Sequence, residues 1–233
     1  MDICSEAVFI HKKKYLDNCI FIFYTKNNGL IEFFVNTLYK NKLLNSLKPL
    51  SIVDLTFYNK NSYFKYKNHE NNNLTMSIYE DFNKSCITFF LADFIKNICE
   101  KNNSNFKFFD FLKNSILILE TTNHSISNFH ICFMVKSLRF LGLDLILKKE
   151  DLYLNLKEGV STKIIPKNSA YVKQDEKNII MNLRSCKLSE CHNVKINKIK
   201  RKKTIINLIN FYNLHLESFN KINSHEILED LFS

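Results

Sequence analysis

The chain has 233 residues, 45% of them hydrophobic, with 21 phenylalanines and a formal charge of +10. That length buries enough surface to fold without disulfides or metal, and the composition excludes a disordered chain. No apolar run approaches the roughly 18 residues of a membrane span, and the isolated Gly29, Gly142 and Gly159 exclude the GxxxxGK(S/T) and GxGxxG phosphate loops.

The opening MDICSEAVFIHKKKY starts with an acid and breaks its apolar run at His11, so it reads as a first strand over 3–11 and not as a signal peptide. Cys19 to Tyr24 is a second apolar run, closed by Lys26-Asn27-Asn28-Gly29. An Asn-Gly pair between two such runs predicts a hairpin, because both residues tolerate positive φ. Ile31, Phe33 and Val35 alternate as a half-buried strand does. Leu50 to Tyr58 predicts a fourth strand, Asn59 to Ser62 a turn, and Tyr63 to Lys67 a returning strand, with Tyr63, Lys65 and Lys67 on one face and Phe64 and Tyr66 on the other. His69 to Asn73 reads as a loop. Five short strands with tight hairpins fit a small closed barrel over residues 1–79.

The period changes near Tyr79. Phe82, Cys86, Phe89, Phe90, Phe94 and Ile98 recur at helical spacing, as do Phe108 to Leu119 and Phe129 to Leu141, with Gly142 placed as a C-terminal cap. Leu145 to Leu156 reads as linker or short strands, and Lys177 to Leu188 as a short helix. A long helix starts at Lys198, and His225 to Phe232 forms a terminal amphipathic turn. The fold class expected is α+β, with the strands first and the helices over 80–233.

No GxSxG, HExxH or paired-carboxylate motif occurs. Cys4, Cys19, Cys86, Cys99 and Cys132 sit in apolar runs and read as buried thiols of a reducing cytosol. Cys186-x4-Cys191-His192 carries metal-ligand residue types, but a structural zinc normally takes four ligands and no second pair lies nearby. The basic residues are more informative. Only Arg139, Arg184 and Arg201 are arginines, so the charge is mostly lysine, which binds phosphate without a fixed geometry. Lys12, Lys13 and Lys14 close the first strand; Lys26, Lys40, Lys42, Lys48, Lys60, Lys65 and Lys67 spread over the barrel; Lys198, Lys200, Arg201, Lys202 and Lys203 open the last helix. Tyr63 shares its face with Lys65 and Lys67. Lysines that track phosphates and rings that stack bases are how an OB barrel holds a single strand. The residues alone leave open an RNA-binding OB module and a pure protein adaptor.

Taken in order, the segments resemble the RecO family. The resemblance rests on YLDNCIFIFYTKNNGLIEFFV (15–35), LKPLSIVDLTFY (47–58), the helical stretch from Cys86 to Glu120, NFHICFMVKSLRFLGLDL (128–145) and FYNLHLESFNKINSHEILEDLF (211–232). It implies an N-terminal five-stranded OB-fold β-barrel followed by an α-helical domain. An irregular region at 144–194 would stand in place of the four-cysteine zinc module that many members carry. It also implies no catalysis, cofactor, metal or membrane, and a cytoplasmic, nucleoid-associated protein that binds single- and double-stranded DNA and anneals complementary strands. Implied partners are RecR, the acidic C-terminal tail of single-stranded DNA-binding protein and, indirectly, RecA. Phe133, Lys136, Arg139 and Phe140 are the positions that match the family's tail-binding region.

Overall fold

A computed structural model describes residues 1–15, 18–36, 47–60, 63–72, 74–75, 77–167, 169–217 and 219. The chain divides into two compact units, Met1–Glu120 and Thr121–Ser233.

The first unit opens with five antiparallel strands: β1 (Asp2–Tyr15), β2 (Asn18–Thr25), β3 (Gly29–Asn36), β4 (Ile52–Lys60) and β5 (Tyr63–Asn71). They lie in the order β3-β2-β1-β4-β5, the order of an OB fold, which is a partly open Greek-key barrel. β1 serves both halves. Its Asp2–Val8 stretch pairs with β4, and its Ala7–Tyr15 stretch pairs with β2, with a bulge between Phe9 and His11 that bends the strand. The expected closed barrel needs correction. Among the described residues no ladder joins β3 to β5. Rings fill that seam instead, with Phe33 and Tyr66 meeting at 6.0 Å between centroids.

Ala7, Phe9, Phe21, Phe23, Ile31, Phe33, Val53, Leu55 and Phe57 make the barrel core. Alternate residues on β1 and β2 are apolar too, and Val8, Ile10, Ile22 and Tyr24 are also buried. These two strands therefore have two covered faces. The cover is helical: Tyr24 stands edge-on to Phe108 at 5.4 Å. Helix α1 (Phe82–Ile98) is capped by Asp81, whose side chain accepts from the Lys84 amide at 3.0 Å. Helix α2 (Phe106–Thr121) starts where the Asn105 side chain accepts from the Phe108 amide. The expected boundary near residue 79 marks the change from strand to helix, while the compact unit runs on to Glu120.

Two expectations in this unit shift. β5 continues through the segment read as a loop, and His69 pairs with Leu55 and is buried, with Tyr66 Oη 2.9 Å from its Nδ1. Cys4, read as buried, is exposed, because it alternates with the inward-facing Ile3 and Ser5. At the β2–β3 turn Gly29 has φ +67°, and a Cβ there would lie 2.2 Å from the Asn103 carbonyl oxygen. The Asn59–Ser62 turn is only partly described, and the terminal turn at 225–232 lies outside the described residues.

In the second unit, α3 (Phe129–Ser137) passes into a 3₁₀ turn, Leu138–Leu141, ended by Gly142 at φ 71°. Residues 153–173 form a small antiparallel sheet, β7-β6-β8, from Tyr153–Asn155 (β6), Val160–Thr162 (β7) and Tyr171–Lys173 (β8). Helix α4 (Gln174–Ser185) and helix α5 (Lys198–His215) complete it. Lys177 is fully buried, and its ammonium donates to the carbonyls of Lys148, Lys149 and Asp151 at 2.8, 3.4 and 2.6 Å. That one side chain fastens the loop of an otherwise irregular region to α4.

Candidate nucleic-acid interface

The β4–β5 hairpin places the sequence-predicted residues most favourably. Phe57, Phe64 and Tyr66 point to the core, so their alternates point outward. The register sets Lys60 directly across from Tyr63, and Tyr58 directly across from Lys65. Directly opposed side chains sit about 4.5–5.5 Å apart at Cβ. The outer face thus alternates ring and ammonium in both directions. Tyr63 is 74% exposed, and a hairpin strand with Lys on its surface leaves that ring in water.

The opposite end of the same face is acidic. Glu6, Asp54 and Glu70 stand in one row across β1, β4 and β5. Glu6 is paired with Lys113 at 2.5 Å, and Asp2 of β1, directly across from Tyr58, brings one acid to the hairpin end, so the separation of charge is clean along β4 alone. The register explains the separation, since acids and bases occupy outward positions at opposite ends of β4.

Other predicted cations differ in what they touch. Lys12, Lys13 and Lys14 are exposed near the far end of β1, opposite to the end that pairs with Tyr58. The Lys12 ammonium lies 5.4 Å from the Phe21 ring centroid. Lys26 lies 3.7 Å from Asp110, and Lys67 is paired with Asp2 at 2.5 Å. Asp2 raises the Lys67 pKa by hydrogen bond and charge. Lys40 and Lys42 lie outside the described residues. Sequence reasoning missed Phe34, which is 66% exposed on β3; the alternation of Ile31, Phe33 and Val35 already placed it outward. Lys48, grouped in sequence with the barrel lysines, has its ammonium 4.7 Å from the Tyr79 ring centroid.

In the second unit the basic block at the start of α5 is not uniform. Asn197 caps the helix, accepting from the Lys200 amide at 2.9 Å. Lys200 pairs with Asp175 at 2.9 Å; hydrogen bond and charge raise its pKa and lower that of Asp175. Arg201 turns inward and donates to the Asn128 side chain, the Ser127 hydroxyl and the Ile196 carbonyl at 3.3, 3.3 and 3.0 Å. Burial lowers its pKa. Lys198, Lys202 and Lys203 are exposed. The cost of cations at a helix N-terminus is thus offset for Lys200 by an acid, while Arg201 acts as a structural brace.

Phe133 is fully buried and presents nothing to solvent. Lys136 donates to the Arg184 and Cys186 carbonyls at 3.1 and 2.5 Å, so it caps the C-terminus of α4. Arg139 is exposed, with its guanidinium carbon 4.6 Å from the Phe140 ring centroid. Among the described residues no group of His, Cys, Asp or Glu is arranged to hold a metal ion, and no helix is long and apolar enough to cross a membrane.

The family described as Recombination protein O C terminal matches residues 79–224. The chain is similar to proteins named DNA repair protein RecO from Flavobacterium johnsoniae, at 27% identity over all of both chains. It is similar to those of Bacteroides fragilis at 28% and Azobacteroides pseudotrichonymphae at 26%, over 98% of each chain.

Proposed function

The chain belongs to the RecO family, and on that premise we propose that it is a non-enzymatic mediator of DNA repair and recombination that binds single- and double-stranded DNA and anneals complementary strands. The observation that carries this reading is the outer face of β4–β5, where Lys60 and Lys65 flank Tyr63 and Tyr58. Ammonium groups release counterions from phosphates, and an exposed ring offers a stacking platform that accepts any base. With few arginines and no rigid fork on this face, binding is independent of sequence.

Lys12, Lys13 and Lys14 supply a second contact in the same unit, and Lys198, Lys202 and Lys203 a third in the other. Two backbones neutralised on one protein repel each other less, which lets complementary bases pair. No covalent step is involved. Lys26, Lys67 and Lys200 bind DNA only by exchanging a carboxylate for a phosphate, so their contribution is smaller.

The acidic C-terminal tail of single-stranded DNA-binding protein is the proposed second ligand. Arg139 and Phe140 provide its contact, a cation beside a partly exposed ring. Lys136 supports that region by capping α4, and Phe133 supports it from the core. RecR is the proposed working partner, and RecA is reached through it. The setting is the cytoplasm.

The test is annealing of complementary strands coated with single-stranded DNA-binding protein. The full chain speeds annealing when the coating protein keeps its acidic tail and loses that effect when the tail is removed. No acceleration with either form contradicts the reading. Equal competition by RNA for the same site would favour an RNA-binding module instead.

A further inference from the structure

Three thiols converge in the second unit. Cys132 lies in α3, Cys186 follows the last turn of α4, and Cys191 lies in the 3₁₀ turn Leu188–Asn193. The Sγ atoms of Cys132 and Cys186 both donate to one acceptor, the Leu183 carbonyl, at 3.5 Å each. Cys132 and Cys191 are buried, while Cys186 keeps part of its surface in solvent. The Lys136 ammonium, 2.5 Å from the Cys186 carbonyl oxygen, puts a positive charge beside the group.

We propose that Cys186 is a peroxide-oxidisable thiol and that Cys132 resolves it into a Cys132–Cys186 disulfide. The order follows from access. Cys186 is the member of the three that solvent reaches, and Cys132 is the member that shares its Leu183 carbonyl acceptor. In the first step the Cys186 thiolate attacks hydrogen peroxide. An S–O bond forms, the O–O bond breaks, and hydroxide leaves to take up the thiol proton as water. In the second step the Cys132 sulfur attacks the Cys186 sulfenic sulfur. The S–S bond forms, the S–O bond breaks, and water leaves with the Cys132 proton. Two thiols and one peroxide give one disulfide and two waters.

Burial outweighs the Lys136 charge and holds the Cys186 thiol above its ordinary pKa, so the first step quickens as pH rises. Two sulfurs gathered on one acceptor have only to turn towards each other to reach the ~2.0 Å of a disulfide. Cys4, the exposed thiol of the other unit, has the Thr56 hydroxyl at 3.7 Å as its hydrogen-bonding neighbour, so oxidation there has no thiol to resolve it. The new bond would staple α3 to the end of α4.

The test is peroxide treatment of the full chain followed by peptide mapping without reductant. The expected product is a linked pair of peptides carrying Cys132 and Cys186, removed by dithiothreitol. In Cys132→Ser the same treatment stops at a Cys186 sulfenic acid that dimedone traps, and in Cys4→Ser the linked pair still forms. Oxidation confined to Cys4, or any pairing that omits Cys132 or Cys186, overturns the proposal. Circular dichroism of each variant before treatment separates misfolding from lost chemistry.

Discussion

Tyr63 stands directly across the β4–β5 ladder from Lys60, so a ring and an ammonium share one patch of the barrel's outer face. An exposed aromatic on a solvent-facing strand costs solubility and adds nothing to the core, which makes it the side chain whose removal is most informative. Tyr63→Ala weakens single-strand binding by about 1–3 kcal/mol, the usual worth of one stacked base. Thermal stability stays within roughly 0.5 kcal/mol, as for other exposed substitutions. Fluorescence anisotropy and a thermal melt check both halves.

Lys136 sits on carbonyls at the end of α4, the place where a cation offsets the helix dipole. Lys136→Met removes that cap and destabilises the second unit by about 1–2 kcal/mol. A fall in melting temperature measures it. Lost binding to an acidic peptide by this variant is meaningful only under conditions where it is folded.

Lys177 holds three carbonyls of the 148–151 loop. Lys177→Met fills the same volume but leaves those acceptors unsatisfied in the interior, at a cost of about 3 kcal/mol. Hydrogen exchange at residues 148–151 and on β7 rises with it. Unchanged exchange would show that the loop holds itself.

At the β2–β3 turn, Gly29→Ala meets two obstacles, positive φ and a carbonyl oxygen 2.2 Å from the new Cβ. The first unit loses at least about 2 kcal/mol, more than the strained conformation alone costs. Denaturant midpoints for the variant and the parent give the difference.

His130 is buried, and burial first, then the Arg201 charge, pushes its pKa down to about 3. The folded state thus refuses a proton that the unfolded state accepts below its ordinary value of 6.5. Stability from this group is whole above that value and falls as pH drops from 6.5 towards about 3, by about 1.4 kcal/mol per pH unit. Burial also lowers the pKa of His11 and His69, so all three contribute to acid sensitivity. His130→Leu isolates one share: its stability plotted against pH has a shallower acid limb than the parent's.

Much of this was readable from residue order alone. The strands before Tyr79, the helices after it and the Gly142 cap follow from periods of two and 3.6. The outward placement of Tyr63 and Lys65 follows from the same alternation. Three things were not readable. The hydrogen-bond opening between β3 and β5 depends on how rings pack, which strand patterns do not encode. Arg201 looks identical in sequence to its lysine neighbours, yet its fork reaches Asn128 and Ile196, far apart in the chain or in the preceding turn. The ion pairs Lys26–Asp110, Lys67–Asp2 and Lys200–Asp175 join residues distant in sequence, so lysine counts overstated the charge available to a ligand.

The central claim is that mobile ammonium groups on the barrel gather phosphate backbones. Its most direct test is the salt dependence of single-stranded DNA binding by the full chain and by Lys60→Ala/Lys65→Ala. The parent's log affinity falls linearly with log salt, and the double variant's slope is shallower by about 1.4, which is roughly 0.7 for each lost single-strand contact. Equal slopes for the two proteins, or no binding by the parent at about 50 mM salt where such contacts are strongest, would contradict it.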